Sequence, residues 1–154
     1  MLIWLDRPLV IAIHDRELAE HGGSPGVRDD NMLESALARP QQLYAYGEPQ
    51  PDLADLAATL AFGLARNHPF VDGNKRTAAV ACETFIELNG ARLQAADADL
   101  YVRYLALAEG KLSLKRFADW LRVHIESTPR NKVQEPKKRY KTRRPAKRAK
   151  ARKR

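Results

Sequence analysis

Ten consecutive residues, His68-Pro69-Phe70-Val71-Asp72-Gly73-Asn74-Lys75-Arg76-Thr77, bring an imidazole, a carboxylate, an amide, an ammonium and a guanidinium into one short stretch. Histidine ordinarily titrates near neutrality, so His68 is a candidate general base for an attacking hydroxyl. Asp72 is a hard oxygen ligand suited to a divalent cation such as Mg²⁺, which nucleotide phosphates bring with them. Gly73 lets the backbone approach a phosphate closely. Asn74 opens a helix whose first N–H groups and positive dipole end form an anion site. Lys75 adds a mobile positive charge and Arg76 a forked one. Phe70 is expected to point into the core and anchor the loop. Any one of these residues is at home in a solvated turn, and it is the ordered set that points to phosphate transfer. In such chemistry catalysis is mostly positioning and charge stabilisation. The stretch is not a P-loop, because no G-x-x-x-x-G-K-[ST] is present and Lys75 follows Asn.

The elements that must hold this loop are helical. Asp6 is expected to cap a first helix with Pro8 in its first turn, an apolar stripe of Leu9, Val10, Ile13 and Leu18, and a stop at Gly22-Gly23. A second helix starts at Asp29 or Asp30, carries Met32, Leu33 and Leu37, and is expected to end before Pro40, with Tyr44-Ala45-Tyr46-Gly47 as a loop. Asp52 caps a third, in which Leu53, Leu56, Leu60 and Leu64 share a face and Ala57, Ala58 and Ala61 keep it thin. Pro69 ends it. The next helix runs from about Asn74 to Leu88, stops at Gly90, and is apolar enough to be read as the central, mostly buried one. Residues 91–96 are expected to be briefly extended. Asp97 or Asp99 caps a helix ending at Gly110, and Ser113 caps a last one in which Leu114, Phe117, Leu121 and Ile125 share a face. No segment of useful length alternates with period two. The expected fold is all-α, a compact helical bundle around a buried central helix.

Charge divides the chain in two. Residues 129–154 hold fourteen of the 27 Lys and Arg and one acid, Glu135, a net of +13; residues 1–128 carry 13 basic and 18 acidic residues, a net of −5. The predicted organisation is therefore a catalytic domain over 1–128 and a disordered Lys/Arg/Ala/Pro-rich tail over 129–154, which cannot bury enough apolar surface to fold. Runs such as Arg143-Arg144-Pro145-Ala146-Lys147-Arg148 suit unspecific, salt-dependent binding to nucleic acid, so a nucleic-acid-binding protein acting through the tail is an alternative function class. The lone cysteine, Cys82, excludes a disulfide framework and reads as a core residue. No membrane span or signal segment is evident, and a cytoplasmic location is the expectation. His14-Asp15 is similar to the metal pair of HD-type phosphohydrolases, but His21 and His124 do not complete a ligand set, and a structural histidine is the better reading. Trp4, Trp120 and the tyrosines read as core or edge aromatics.

The run His68 to Arg76 resembles the signature loop of the Fic/Doc superfamily, and Lys75, where the ordinary Fic signature has Gly, resembles its Doc (death-on-curing) toxin branch. Ile13-His14-Asp15, the run Gly22 to Asp29, Leu33-Glu34-Ser35-Ala36-Leu37 and Pro40 resemble the Doc N-terminal pattern, and the resemblance covers about residues 3–126. It implies a Fic/Doc-type fold and a toxin of a type II toxin–antitoxin system. It implies His68 as catalytic base, Asp72 as metal ligand, and Gly73, Asn74, Lys75 and Arg76 as phosphate-binding. Arg66 matches a basic residue of the toxin branch and is implied in nucleotide binding. The second arginine of the ordinary signature is replaced by Ala79. With Lys75, that implies transfer of the γ-phosphate of ATP to a hydroxyl of a host translation protein, in the family elongation factor Tu. AMP transfer is the alternative. The self-inhibitory [ST]-x-x-x-E-[GN] run of many Fic proteins is not found, so restraint by a cognate antitoxin in trans is expected.

Overall fold

The computed structural model of the protein describes residues 1–128; the basic tail at 129–154, expected to be disordered, lies outside the described residues. Six helices and one small sheet make up the described chain: α1 (Arg7–His21), α2 (Asp30–Tyr46), α3 (Leu53–Asn67), α4 (Asn74–Leu88), β1 (Ala91–Leu93), α5 (Asp97–Ala108), α6 (Leu114–His124) and β2 (Ile125–Ser127). The all-α expectation is borne out. No helix among the described residues is long and apolar enough to cross a membrane.

Four helices begin where short polar side chains predict. Asp6, Asp29, Asp52 and Ser113 each accept the N–H of the residue three positions on, and Asp55 returns its carboxylate to the Asp52 N–H at 3.0 Å. Such a cap contributes about 1 kcal/mol. α5 differs from expectation. It starts at Asp97 after an Ala96 cap with no side-chain hydrogen bond, and Asp97 and Asp99 lie within its first turn, where they favour the positive helix end.

The most buried helix is α3, with ten of its fifteen residues in the interior against seven of fifteen in α4. α3 packs against α2, α4, α5 and α6, and α4 lies between α3 and α1. The alanines at 54, 57, 58, 61 and 65 permit this crowding. At Gly63 a Cβ would stand 3.0 Å from the Ala36 Cβ and 3.1 Å from its Cα, so the α2–α3 approach depends on both small residues. Burial of Leu56, Leu60 and Leu64 contributes roughly 1.5–3 kcal/mol each. Phe85 and Ile86 of α4, Tyr104 and Leu107 of α5, and Phe117 and Leu121 of α6 complete the core.

Two departures from the sequence reading have clear causes. α2 runs through Pro40 to Tyr46, so residues 44–46 are helical rather than loop. A mid-helix proline removes one hydrogen bond and crowds the preceding turn, at a cost of about 3 kcal/mol. Packing outweighs it, since Leu43 lies on the core and Tyr44 meets Trp4 edge-on at 5.7 Å. Ile125 does not extend the stripe of α6 but begins β2, antiparallel to β1, with Leu93 opposite Ile125 and Ala91 opposite Ser127. Three-residue strands are too short to show a period in the sequence.

Candidate functional site

The loop joining α3 to α4 is built by two helix ends. α3 finishes at Asn67, and His68 takes the left-handed conformation (φ 50°, ψ 55°), alone among the described non-glycine residues with positive φ. That backbone costs an ordinary residue roughly 1–2 kcal/mol. Bonds from the α1–α2 loop hold it in place. The Pro69 carbonyl accepts the N–H groups of Arg28 (2.7 Å) and Asp29 (3.1 Å), and the Val71 N–H donates to the Gly26 carbonyl at 3.0 Å. Val27 bridges Phe70 in antiparallel fashion. The Arg28 guanidinium donates to the His68 and Asn67 carbonyls at 2.6 and 2.9 Å. His68 itself is exposed.

Phe70 is buried and lies parallel to the buried His14 ring at a centroid distance of 3.8 Å. His14 is a structural residue, buried on the core-facing side of α1. Its Nε2 lies 2.8 Å from the Asp72 carbonyl oxygen, so that nitrogen is the protonated one and donates. The signal for this placement was present in the sequence. Val10, Ile13, His14 and Glu17 are the buried positions of α1, at i, i+3, i+4 and i+7, which puts a histidine on the core-facing stripe.

Asp72 is exposed, and its two carboxylate oxygens accept the N–H groups of Ser24 (3.2 Å) and Gly73 (2.8 Å). Those two bonds, followed by the positive charge of Arg76, hold its pKa below the ordinary aspartate value. Gly73, also left-handed (φ 76°), precedes α4 and leaves the helix with no side-chain cap. The first-turn N–H groups of Asn74, Lys75 and Arg76 therefore have no side-chain acceptor, which is the arrangement of an anion site. Gly23 lies tight beneath the carboxylate, for a Cβ there would be 2.8 Å from Asp72 Oδ2.

The side chain of Asn74 does something its residue type did not announce. It is buried, its Oδ1 accepts the Phe70 N–H and its Nδ2 donates to the Phe70 carbonyl, both at 2.9 Å. The amide is a staple across the loop, and its nitrogen also lies 3.5 Å from His68 Nδ1. At that length the contact is at the limit of a hydrogen bond and leaves the ring tautomer open.

The cations divide. Arg76 donates to the Gly22 carbonyl at 3.2 Å, while the Lys75 ammonium makes no hydrogen bond or ion pair among the described residues. Lys75, Arg76, Ala79, Val80, Leu100 and Tyr104 are among the residues lining a groove of about 370 Å³. Glu83 also lines it, and burial, with Glu87 and Asp97 nearby, pushes its carboxyl above the usual range. Arg66 is not drawn into the loop. Its guanidinium stacks 5.5 Å from the Phe62 ring centre and lies against Gly110 in the α5–α6 turn. No group of three His, Cys, Asp or Glu able to hold a metal exists among the described residues. His124 Nδ1 lies against the Trp120 carbonyl at 2.8 Å.

A family model described as Fic/DOC family matches residues 4–86. Over 79 residues the chain is 51% identical to a protein named Toxin Doc from Mycolicibacterium smegmatis, covering 51% of this chain and 60% of that relative. Over 115 residues it is 37% identical to Protein kinase doc of Escherichia phage P1, covering 73% of this chain and 88% of the relative. The chain belongs to the Fic/Doc family, on its Doc branch.

Proposed function

We propose that this protein is the toxin of a toxin–antitoxin pair. In this reading it transfers the γ-phosphate of ATP to a hydroxyl of a host translation protein, elongation factor Tu by resemblance, and so arrests growth. The observation that carries the reading is the loop itself. An exposed imidazole stands at the end of α3, beside the uncapped N-terminus of α4 with Lys75 and Arg76 in its first turn. The names of the two relatives, a toxin and a protein kinase, support the same direction.

A ring nitrogen of His68 takes the proton of the acceptor hydroxyl. The oxygen attacks the γ-phosphorus, the bond to the β-phosphate oxygen breaks, and ADP leaves. The backbone N–H groups of Asn74, Lys75 and Arg76 receive phosphate oxygens, and the Lys75 and Arg76 side chains offset their charge. Asn74 contributes its backbone, since its amide is committed to Phe70. Asp72 fits Mg²⁺, because its exposed carboxylate is ionised well below neutral pH and spends one lone pair per oxygen on a backbone N–H. Mg²⁺ takes one or two carboxylates beside phosphates and water, and there it would neutralise phosphate charge. Ala79 removes the guanidinium that the ordinary Fic signature places on α4, which favours phosphate over AMP transfer. A separate antitoxin supplies the restraint.

ATP labelled at either the α or the γ position, incubated with the protein and a cell extract, tests the reading. Label from γ on a host protein is expected. Label from α would replace it with AMP transfer, and no label from either, with His68 intact and the antitoxin removed, would end both.

A further inference from the structure

We infer that Arg28 is a positioning residue for His68, a role that rests on His68 acting as the base in the reading above. The backbone of His68 is left-handed, a conformation that any residue but glycine leaves readily unless its surroundings fix it. It lies at the C-terminus of α3, where the last carbonyls of a helix lack intrahelical partners. Arg28 meets both needs with one side chain. Its Nε–H donates to the His68 carbonyl at 2.6 Å, and a terminal N–H donates to the Asn67 carbonyl at 2.9 Å. The two carbonyls on either side of the His68 α-carbon are thereby held by one rigid planar fork, which sets the direction from which the imidazole leaves the backbone.

Arg28 is itself anchored on both sides. Its own N–H donates to the Pro69 carbonyl at 2.7 Å, and Val27 before it bridges Phe70. Asp29 after it caps α2, and the Asn67 side chain donates to the Met32 carbonyl in the first turn of that helix at 3.2 Å. The fork thus ties the end of α3 to a fixed frame, and none of its bonds reaches Asp72, Lys75 or the first turn of α4. The Arg28 fork acts on the base side alone, whereas His14 and Asn74 hold the phosphate side of the loop, Asn74 also approaching His68 Nδ1 at 3.5 Å. A loss at Arg28 should therefore separate turnover from nucleotide binding. Lysine cannot replace it, because a single ammonium on a flexible stem cannot hold two carbonyls in one plane.

The experiment compares the full chain with Arg28→Ala and Arg28→Lys, each freed of antitoxin. At saturating ATP and acceptor, both variants should turn over about 10–100-fold more slowly, the size expected when a catalytic group shifts by about 1 Å. The calorimetric affinity for a non-hydrolysable ATP analogue should stay within about twofold, since that site does not involve the fork. Free guanidinium at low millimolar concentration should restore part of the Arg28→Ala rate. A readout that needs no activity accompanies these. The backbone ¹³C shifts of residue 68 report the left-handed conformation in the wild type and should move toward ordinary values in both variants, while those of Asp72 to Thr77 stay put. Unchanged residue-68 shifts together with an unchanged rate would overturn the inference. A parallel fall in rate and affinity would overturn it too, reducing Arg28 to a general stabiliser. If Arg28→Ala does not fold, Arg28→Lys decides by the same measures. If the wild type transfers no phosphate, the functional reading fails while the residue-68 shifts still decide whether Arg28 fixes this backbone.

Discussion

Replacing Asn74 by Ala tests whether the amide is a staple of the loop or a hand offered to phosphate. In the folded protein the side chain closes two hydrogen bonds of 2.9 Å with the N–H and C=O of Phe70, a residue that is itself buried. Alanine leaves both backbone groups without a partner, in a place too enclosed for free exchange with solvent. An unsatisfied buried donor or acceptor costs about 1–3 kcal/mol, so the pair should cost roughly 2–4 kcal/mol after some relaxation. Alanine returns little through helix propensity, because position 74 is the first residue of α4. With a urea dependence of about 2 kcal/mol per molar, the unfolding midpoint should fall by roughly 1–2 M. Asn74→Asp should do no better. Its carboxylate can accept from the Phe70 N–H but must face the Phe70 carbonyl, against which the helix dipole returns only about 0.3–1 kcal/mol. Urea unfolding followed by circular dichroism, with nucleotide binding measured on the same samples, separates the alternatives. A midpoint within about 0.3 M of the wild type, with affinity for nucleotide lost, would refute the staple and return the amide to the phosphate site.

Arg122 ties α6 to the start of α3, with bonds of 2.6 and 3.1 Å to Asp52, 2.7 Å to Asp55 and 2.8 Å to Asp119. Because these groups are partly exposed, Arg122→Ala should cost only about 1–2 kcal/mol by thermal unfolding at neutral pH. The same contact holds the Asp52 carboxyl well below the usual carboxylate range, the Arg122 bond being the largest cause. A depressed folded-state value stabilises above the unfolded value near 4 and is lost as pH falls through the folded one, so the stability difference between wild type and Arg122→Ala should shrink below about pH 4. His14→Phe keeps a ring against Phe70 but removes the donor to the Asp72 carbonyl; a loss of about 1–2 kcal/mol in urea unfolding is expected. Burial pushes the Cys82 thiol up to about 12. Folded protein at pH 8 should therefore react with a thiol reagent only as fast as it unfolds, and urea should release the reaction.

The helices were legible because their signals are local. Capping carboxylates, glycine stops and leucine stripes act within four or five residues, and the positions of α1, α3 and α4 follow from them. Where tertiary packing outweighed a local signal, the sequence misled. Pro40 should end a helix, yet Leu43 and Tyr44 have partners in the core and on Trp4, and their packing carries α2 past it. Asp97 and Asp99 should cap a helix, but with Ala96 at the cap position they fall inside the first turn.

The site shows the same division more sharply. The types of His68, Asp72, Lys75 and Arg76 announce what they could do, and the geometry leaves each of them exposed. What cannot be read from type is how such groups are held. His14 is 58 positions before Asp72, and Arg28 is 40 before His68, so neither contact has a sequence spacing to betray it. Asn74 has a type that suits phosphate and a burial that denies it, and only the distances to Phe70 decide between them. The chemically expressive residues of this loop stay exposed while quieter ones, drawn from α1 and the α1–α2 loop, satisfy much of its backbone. A loop with two left-handed residues, His68 and Gly73, within six positions would otherwise collapse onto its own polar side chains. Instead the imidazole stays exposed at the end of α3 and the first N–H groups of α4 stay without a side-chain acceptor, the two arrangements on which the proposed phosphoryl transfer depends.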